Sequence, residues 1–259
     1  MQNVMTEILR VYQWPSQAFW RYFEVHALRE VQCARPILEI GCGDGQFTSM
    51  VFQTIDDAID VNPRSVEKCR KLSKLYERVR CLDARDLTLQ DGGFATVYAN
   101  CVLEHIPQIS GVLAGCYRGL RPSGQLVITV PLARMNDHLL FPWRWYARLR
   151  QKQLSHINLH SEAGWENLLR EAGFSDIEFR SYLSGSACKF WDAMDSPGCI
   201  GFGRYRMAAA LGILARTFLP KRLRRSVIEN LSAWLVSKAK SRAASEPACA
   251  ALVVARKRA

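Results

Sequence analysis

The 259-residue sequence lacks the features that mark several classes of protein. It has no run of 18 or more apolar residues, so we expect no transmembrane helix. Its first residues show no basic segment followed by an apolar stretch, so we expect no secretory signal. None of its nine cysteines form a CxxC pair, which predicts free thiols in a reducing cytoplasm and no disulfide framework or zinc cage.

Most of the chain carries no net charge, because basic and acidic residues are equal in number before residue 204. Residues 204–259 contain thirteen Lys or Arg and only two acidic residues, so the whole formal net charge of +11 lies there. A basic surface over the entire protein would have indicated nucleic acid as a partner. A local basic zone indicates a docking region for something anionic.

Short apolar runs alternate with helical patterns from residue 36 onward. The runs at 36–40, 58–61, 79–82, 95–99, 125–130, 177–182 and 249–255 predict seven strands. Strands that alternate with helices predict a parallel, doubly wound α/β sheet. We expect a single domain over 1–259, with N-terminal helices in 1–34, a sheet core in 35–183 and 248–257, and a basic helical insertion in 184–247 before the last strand.

A glycine-rich turn joins the first predicted strand to the next element. It reads Glu39-Ile-Gly41-Cys-Gly43-Asp-Gly45, and glycines allow both a sharp turn and the close approach of a ligand. A dinucleotide-binding turn would have a glycine where this chain has Gln46. The spacing instead resembles motif I of the class I S-adenosylmethionine-dependent methyltransferases, which implies a Rossmann-like fold and S-adenosylmethionine as the cofactor.

Further motifs follow in the order that this family has them. The resemblance implies that Asp60 and Val61, at the end of the second strand, lie at the cofactor ribose. It implies that Asp83 and Ala84 lie at the adenine ring, and that the region of Asn100 contacts the methionine amino group. Together with Glu39, Gly41, Gly43 and Gly45, these residues are the predicted cofactor site.

His105 is the first candidate for a catalytic group, and Glu104 precedes it. His105 follows the fourth predicted strand, where it could serve as a general base or could only support the loop. Some metal-using methyltransferases have E-x-x-E-H at this point, whereas this chain has Cys101 in place of the first carboxylate. We therefore expect no metal.

The segment after the fifth strand is where this family builds its acceptor pocket. His138, His156 and His160 lie there, and they are either pocket residues or solvated loop residues. The aromatic side chains of Phe141, Trp143, Trp145 and Tyr146 either cover an apolar acceptor or pack in a core.

Residues 204–240 include a basic amphipathic pattern. Leu223, Val227, Leu231 and the pair Trp234/Leu235 recur at helical spacing, and several arginines lie off this stripe. The stripe either lies on an anionic membrane or packs on the protein.

The function implied by these motifs is methyl transfer from S-adenosylmethionine. We expect the acceptor to be a small molecule or a membrane-associated lipid-linked glycan, lipid or quinone, and the enzyme to be cytoplasmic or peripheral on the inner face of the membrane. RNA methylation is an alternative suggested by the basic tail, although the D/N-P-P-Y/F motif is absent and a nucleic-acid partner is not expected. A cofactor-binding protein without turnover is the other alternative. The oligomeric state is not specified by the sequence.

Overall fold

The computed structural model describes residues 2–12, 14–87, 92–198, 201–202, 205–206, 221–241 and 247–258. The chain divides into two compact units. The helical unit comprises residues 1–26, 134–155 and 182–249, and the sheet unit comprises residues 27–133, 156–181 and 250–259. Residues 134–155, which the sequence placed with the sheet core, therefore group with the N-terminal helices and the insertion.

The sheet has the seven strands that the sequence predicts. In spatial order they are β3, β2, β1, β4, β5, β9 and β6. Their bounds are β1 Ile37–Ile40, β2 Asp57–Asp60, β3 Val79–Cys81, β4 Phe94–Asn100, β5 Leu120–Pro131, β6 Ser175–Ser184 and β9 Ala248–Arg256. A separate short hairpin consists of β7 Gly201–Phe202 and β8 Tyr205–Arg206.

The expectation of an all-parallel sheet is wrong for the last strand. Strands β1 to β5 pair in parallel with their neighbours, but β9 runs antiparallel to β5, with Leu126 opposite Ala255 and Val130 opposite Ala251. Strand β9 is buried along nearly all of its length. A continuous apolar run marks an internal strand but does not specify the direction in which it runs.

The helices follow the predicted pattern, except that helix α3 is shorter than predicted. Their bounds are α1 Gln2–Val11, α2 Pro15–Arg29, α3 Pro63–Arg70, α4 Ile109–Gly119, α5 Arg144–Leu154, α6 Glu162–Glu171, α7 Gly185–Gly198 and α8 Lys221–Lys240. Helix α3 begins as predicted, because the Asn62 side chain accepts a hydrogen bond from the Arg64 N–H at 3.0 Å. It ends at Arg70 and not near Tyr76, and the turns that follow bring Tyr76 beneath the glycine-rich turn.

A buried ion-pair network joins helices α5 and α7 in the helical unit. Arg150 is completely buried, and its guanidinium donates to Asp192 at 2.7 Å and to Asp195 at 2.6 Å. Asp192 also accepts a hydrogen bond from the Tyr146 hydroxyl at 2.8 Å. Buried charges are tolerated only when they are paired and hydrogen-bonded, so this network fixes the position of α5 relative to α7.

Helix α8 buries only one end of the predicted stripe, at Leu235, and leaves most of the stripe at the surface. Leu235, Val236 and Ala239 are buried, and Ser232 accepts a hydrogen bond from Thr6 of α1 at 3.0 Å. The predicted stripe lies largely at the surface, with exposed Leu223, Val227 and Trp234. Residues 207–220 and the side chains of Arg222 and Arg224 lie outside the described residues. None of the helices within the described ranges is long and apolar enough to cross a membrane.

We expect Arg150→Met to lower the free energy of unfolding by about 3–5 kcal/mol, because it leaves two carboxylates of the helical unit without their cation. The matched control is Arg170→Met, which removes an exposed pair with Glu166 inside α6 and should cost less than about 1 kcal/mol. Chemical denaturation measures both changes. Equal losses in the two variants would contradict a structural role for the buried network.

Candidate functional site

A cleft lies in the sheet unit at the carboxyl ends of β1, β2 and β4. Open α/β sheets bind their ligands at this edge. The cleft has a volume of about 250 Å³. It is lined by Ile40, Gly41, Ile59, Asp60, Val61, Leu82, Asp83, Ala84, Arg85, Cys101, Val102, His105, Ile106 and Pro107.

The glycine-rich turn at the cleft has a backbone that requires glycine. Gly41 has a φ of +73°, and a Cβ atom there would lie 2.5 Å from the side chain of Val102. Gly43 has a φ of +55°, but a Cβ atom there would meet nothing within 4 Å. Gly43 is not among the residues that line the cleft, but it borders open space next to Asp60, where a ligand can approach the backbone closely. Gly45 also has a positive φ, and it packs against Leu72 and Tyr76 and not along the cleft.

Asp60 connects the glycine-rich turn to the start of α3. One of its carboxylate oxygens accepts a hydrogen bond from the Gly43 N–H, and the other accepts from the Asn62 N–H, both at 2.8 Å. An ionised carboxylate has about four acceptor positions, so Asp60 can still accept hydrogen bonds from a ligand. The neighbouring Val61 is 68% exposed and offers apolar surface on the same side of the cleft.

Asp83 and Ala84 also line the cleft, as the sequence predicts for an adenine site. The Asp83 carboxylate accepts a hydrogen bond from the Arg85 N–H at 2.9 Å and caps the short 3-10 turn Ala84–Asp86. The Arg85 guanidinium donates to both oxygens of Asp83 and holds the pKa of this carboxyl below its ordinary value. Asp83 is therefore ionised and already paired on one side.

Glu39 lies behind the glycine-rich turn and not among the residues that line the cleft. It is buried, and its two oxygens accept hydrogen bonds from the hydroxyls of Thr48 at 2.5 Å and Tyr76 at 2.8 Å. Burial raises the pKa of Glu39 to about 7, although both hydrogen bonds oppose this shift. Asn100 is likewise outside the lining, and its side-chain oxygen accepts from the Thr129 hydroxyl at 2.8 Å.

Glu104 and His105 lie on the 3-10 turn Leu103–His105 that follows β4. Glu104 is buried, whereas His105 is 40% exposed and lines the cleft. Of the three later histidines that the sequence offered as pocket residues, His156 lies beside His105, with ring centroids 5.3 Å apart. His160 instead packs edge-on against Trp165, and His138 lies beside Gly185 in the helical unit.

The aromatic run in the helical unit is divided between core and surface. Tyr146 is buried in the Asp192 network, but Phe141, Trp143 and Trp145 are exposed. Phe141 stacks on Trp143 with centroids 4.9 Å apart, and Trp143 stacks on Trp145 at 5.6 Å. Three stacked aromatic rings therefore lie at the surface of this unit.

The sequence profile of the methyltransferase domain matches residues 22–178, more than half of the chain and most of the sheet unit. The chain belongs to the methyltransferase domain family. This confirms the family and the fold predicted from the glycine-rich turn and the motifs after it. The family assignment carries with it the expected cofactor, S-adenosylmethionine, and the cleft residues fit that molecule.

Several characterised proteins are similar to this chain. A malonyl-[acyl-carrier protein] O-methyltransferase of Alcanivorax borkumensis is 28% identical over 61% of this chain and 55% of its own length. A demethylmenaquinone methyltransferase of Staphylococcus epidermidis is 24% identical over 65% of this chain and 79% of its own. The chain spans about half the length of the first relatives that it matches.

A solved structure shares the fold over nearly the whole chain. It is a S-adenosylmethionine-dependent methyltransferase of Thermotoga maritima, described as a possible histamine N-methyltransferase. It superposes with a TM-score of 0.59 at 15% identity and covers 98% of this chain and 100% of that one. At this identity the likeness shows the fold alone.

We expect the pH dependence of stability to report on Glu39. Its pKa is raised in the folded state from an ordinary 4.5 to about 7, so the folded protein holds this proton more tightly than the unfolded chain does. The stabilisation that protonated Glu39 contributes is fully present below about pH 4.5 and is lost as the pH rises through about 7. The free energy of unfolding should fall by up to ~3 kcal/mol over this range. Wild-type protein should lose this stability relative to Glu39→Gln, as measured by chemical denaturation across that range.

The control is Glu67→Gln, which removes an exposed carboxylate of α3. Because solvent screens this exposed side chain, its substitution should change the free energy of unfolding by less than about 1 kcal/mol. A constant difference between Glu39→Gln and wild type over the same pH range would show that Glu39 titrates like an ordinary surface carboxyl group.

Proposed function

We propose that this protein transfers the methyl group of S-adenosylmethionine to a small-molecule acceptor. The observation that carries the proposal is the cleft itself, where an open backbone position at Gly43 and an exposed Val61 adjoin the Asp60 carboxylate. Exposed apolar and acidic groups of this kind match a ligand that has a flat ring system, hydroxyl groups and positive charge.

Each part of the cleft has a separate role in holding the cofactor. Asp60 would accept hydrogen bonds from the ribose hydroxyls, and Val61 would cover one face of the adenine ring. The Ala84 N–H would donate to the ring edge, and the Asp83 carboxylate would accept from the exocyclic amine. Gly41 and Gly43 would allow the methionine part to approach the backbone. When bound, S-adenosylmethionine supplies a methyl group on a positively charged sulfur, and the protein aligns the acceptor and excludes water.

His105 is the cleft residue that we propose to act on the acceptor. It lies on the turn after β4, with a nitrogen 3.8 Å from the buried carboxylate of Glu104. An acceptor with an O–H group must release its proton during methyl transfer, and a positioned group typically contributes about 10²–10⁴-fold to such a step. His105 acts either directly on that proton or through a group that it binds.

The relatives support a small or quinone-like acceptor. The names of two of them specify an O-methyltransferase for malonyl-[acyl-carrier protein] and a methyltransferase for demethylmenaquinone. A methyl-release assay with metabolite, lipid and RNA fractions tests this proposal against RNA methylation. Cofactor binding without methyl release to any fraction would favour a binding protein without turnover.

We expect Val61→Ser to weaken S-adenosylmethionine binding by about fivefold, or ~1 kcal/mol, because it removes apolar surface that the ligand would cover. Stability should change by less than about 0.5 kcal/mol, since Val61 is exposed. Calorimetry measures the affinity, and Val227→Ser, an exposed valine of the helical unit, is the control. Unchanged affinity in Val61→Ser would contradict the placement of the cofactor.

We also propose that the protein associates with anionic membranes through the helical unit. The stacked rings of Phe141, Trp143 and Trp145 are exposed, and the exposed Arg144 and Arg148 lie between or just after them on α5. Amphipathic aromatic rings beside basic side chains are typical of surfaces that insert into the headgroup region. The net charge of residues 204–259 and the exposed stripe of α8 support the same partner.

We expect binding to vesicles that contain anionic lipid and much weaker binding to neutral vesicles, because each basic side chain near the surface contributes about 1 kcal/mol. A Trp143→Ser, Trp145→Ser double variant should lose most of this binding in a sedimentation assay. Val61→Ser, which changes an exposed residue of the sheet unit, is the control. Equal binding to both kinds of vesicle, or to neither, would exclude electrostatic membrane docking.

A further inference from the structure

Three side chains with metal-binding atoms converge beside the cleft. One ligand atom from each of Glu104, His105 and His156 lies within 4.8 Å of the others. Glu104 is buried, His156 is half-buried and His105 is exposed. A divalent ion about 2.0–2.2 Å from each donor needs donors roughly 3–3.5 Å apart, and rotation of the exposed His105 ring can close that gap.

His156 is held at this place by the backbone that follows it. The N–H groups of Ile157 and Asn158 both donate to the carbonyl oxygen of Glu104, at 2.7 and 2.9 Å. The side-chain amide of Asn158 donates to the carbonyl oxygens of Leu103 at 3.0 Å and of Ile106 at 2.5 Å. These four hydrogen bonds fix the 156–158 segment against the turn that carries Glu104 and His105, so the backbone already holds the three residues side by side.

The chemistry of the donors narrows the choice of ion. Two imidazoles and one carboxylate suit first-row transition metals, and three protein ligands leave coordination positions open. Magnesium prefers oxygen ligands and retains several waters, so two histidines disfavour it. The buried Glu104 carboxylate supplies the negative charge that such a cation needs.

We propose that Glu104, His105 and His156 form a binding site for a first-row divalent cation at the edge of the cleft. From the sequence alone no metal is expected, because Cys101 stands in place of the first carboxylate of E-x-x-E-H. The structure instead supplies the third donor from His156, fifty-one residues after His105 in the chain.

The cation site also restricts the class of methyl acceptor. This inference rests on the proposed methyltransferase function. His105 belongs both to the cation site and to the lining of the cleft. An open coordination position there favours an acceptor with a hydroxyl or enol oxygen, because a bound divalent cation lowers the pKa of an oxygen ligand. His105 is then a ligand and not the proton acceptor.

The test is titration of the chelator-treated 259-residue chain with Co²⁺, followed by calorimetry and visible absorption. We expect one Co²⁺ ion to bind per chain, with visible absorption bands characteristic of nitrogen and oxygen ligands. Glu104→Gln and His156→Asn should each weaken binding by about 100-fold, since loss of even an outer-shell partner costs roughly 10–100-fold. His160→Gln is the matched control, because His160 lies in the same segment but outside the cluster and should leave Co²⁺ affinity unchanged.

Two results would overturn the proposal. One is Co²⁺ affinity that is the same in wild type and His156→Asn, and the other is a thiolate charge-transfer band that assigns the ion to cysteine. His156 is half-buried, so this variant remains informative if Glu104→Gln fails to fold, as checked by circular dichroism. S-adenosylmethionine calorimetry on the same samples separates the two proposals, because lost cofactor binding with retained Co²⁺ binding would reject only the methyltransferase function.

Discussion

The candidate site depends on a glycine-rich turn that is held by a carboxylate on each side. Behind the turn, Glu39 is buried and accepts hydrogen bonds from Thr48 and Tyr76. On the side of the cleft, Asp60 accepts a hydrogen bond from the Gly43 N–H. The N–H groups of Gly41 and Cys42 also donate to the carbonyl oxygen of Ile59, at 2.8 and 3.1 Å. Backbone hydrogen bonds to β2 and the two acidic side chains therefore hold the turn together. The open space at Gly43 follows from that placement.

Much of the sheet unit could be predicted from the sequence, because buried strands and helix caps leave local signals. The apolar runs located all seven strands of the sheet, and Asn62 with Pro63 located the start of α3. The direction of β9 could not be predicted, since Ala250 to Ala255 would be equally apolar in a parallel or an antiparallel internal strand. Direction depends on the path of the long connection before β9, which no local pattern encodes.

Site residues that belong to a short sequence motif could be predicted. Residues whose partners are distant in the chain could not. Asp60, Val61, Asp83 and Ala84 line the cleft, and their spacing within the motifs places them there. Glu39 shares the same motif but faces inward, because Thr48 and Tyr76 accommodate its carboxylate. His156 and the Arg150 network carry no local signal, since each depends on side chains more than forty residues away in the chain.

The side-chain amide of Asn158 links the segment that carries His156 to the wall of the cleft. It hydrogen-bonds to Leu103 and Ile106, and Ile106 with His105 also forms part of the cleft wall. A cofactor in the cleft and the proposed ion at Glu104, His105 and His156 would therefore contact the same 103–106 turn. Linkage requires any coupling between two such ligands to be reciprocal, so each would change the affinity for the other by the same factor.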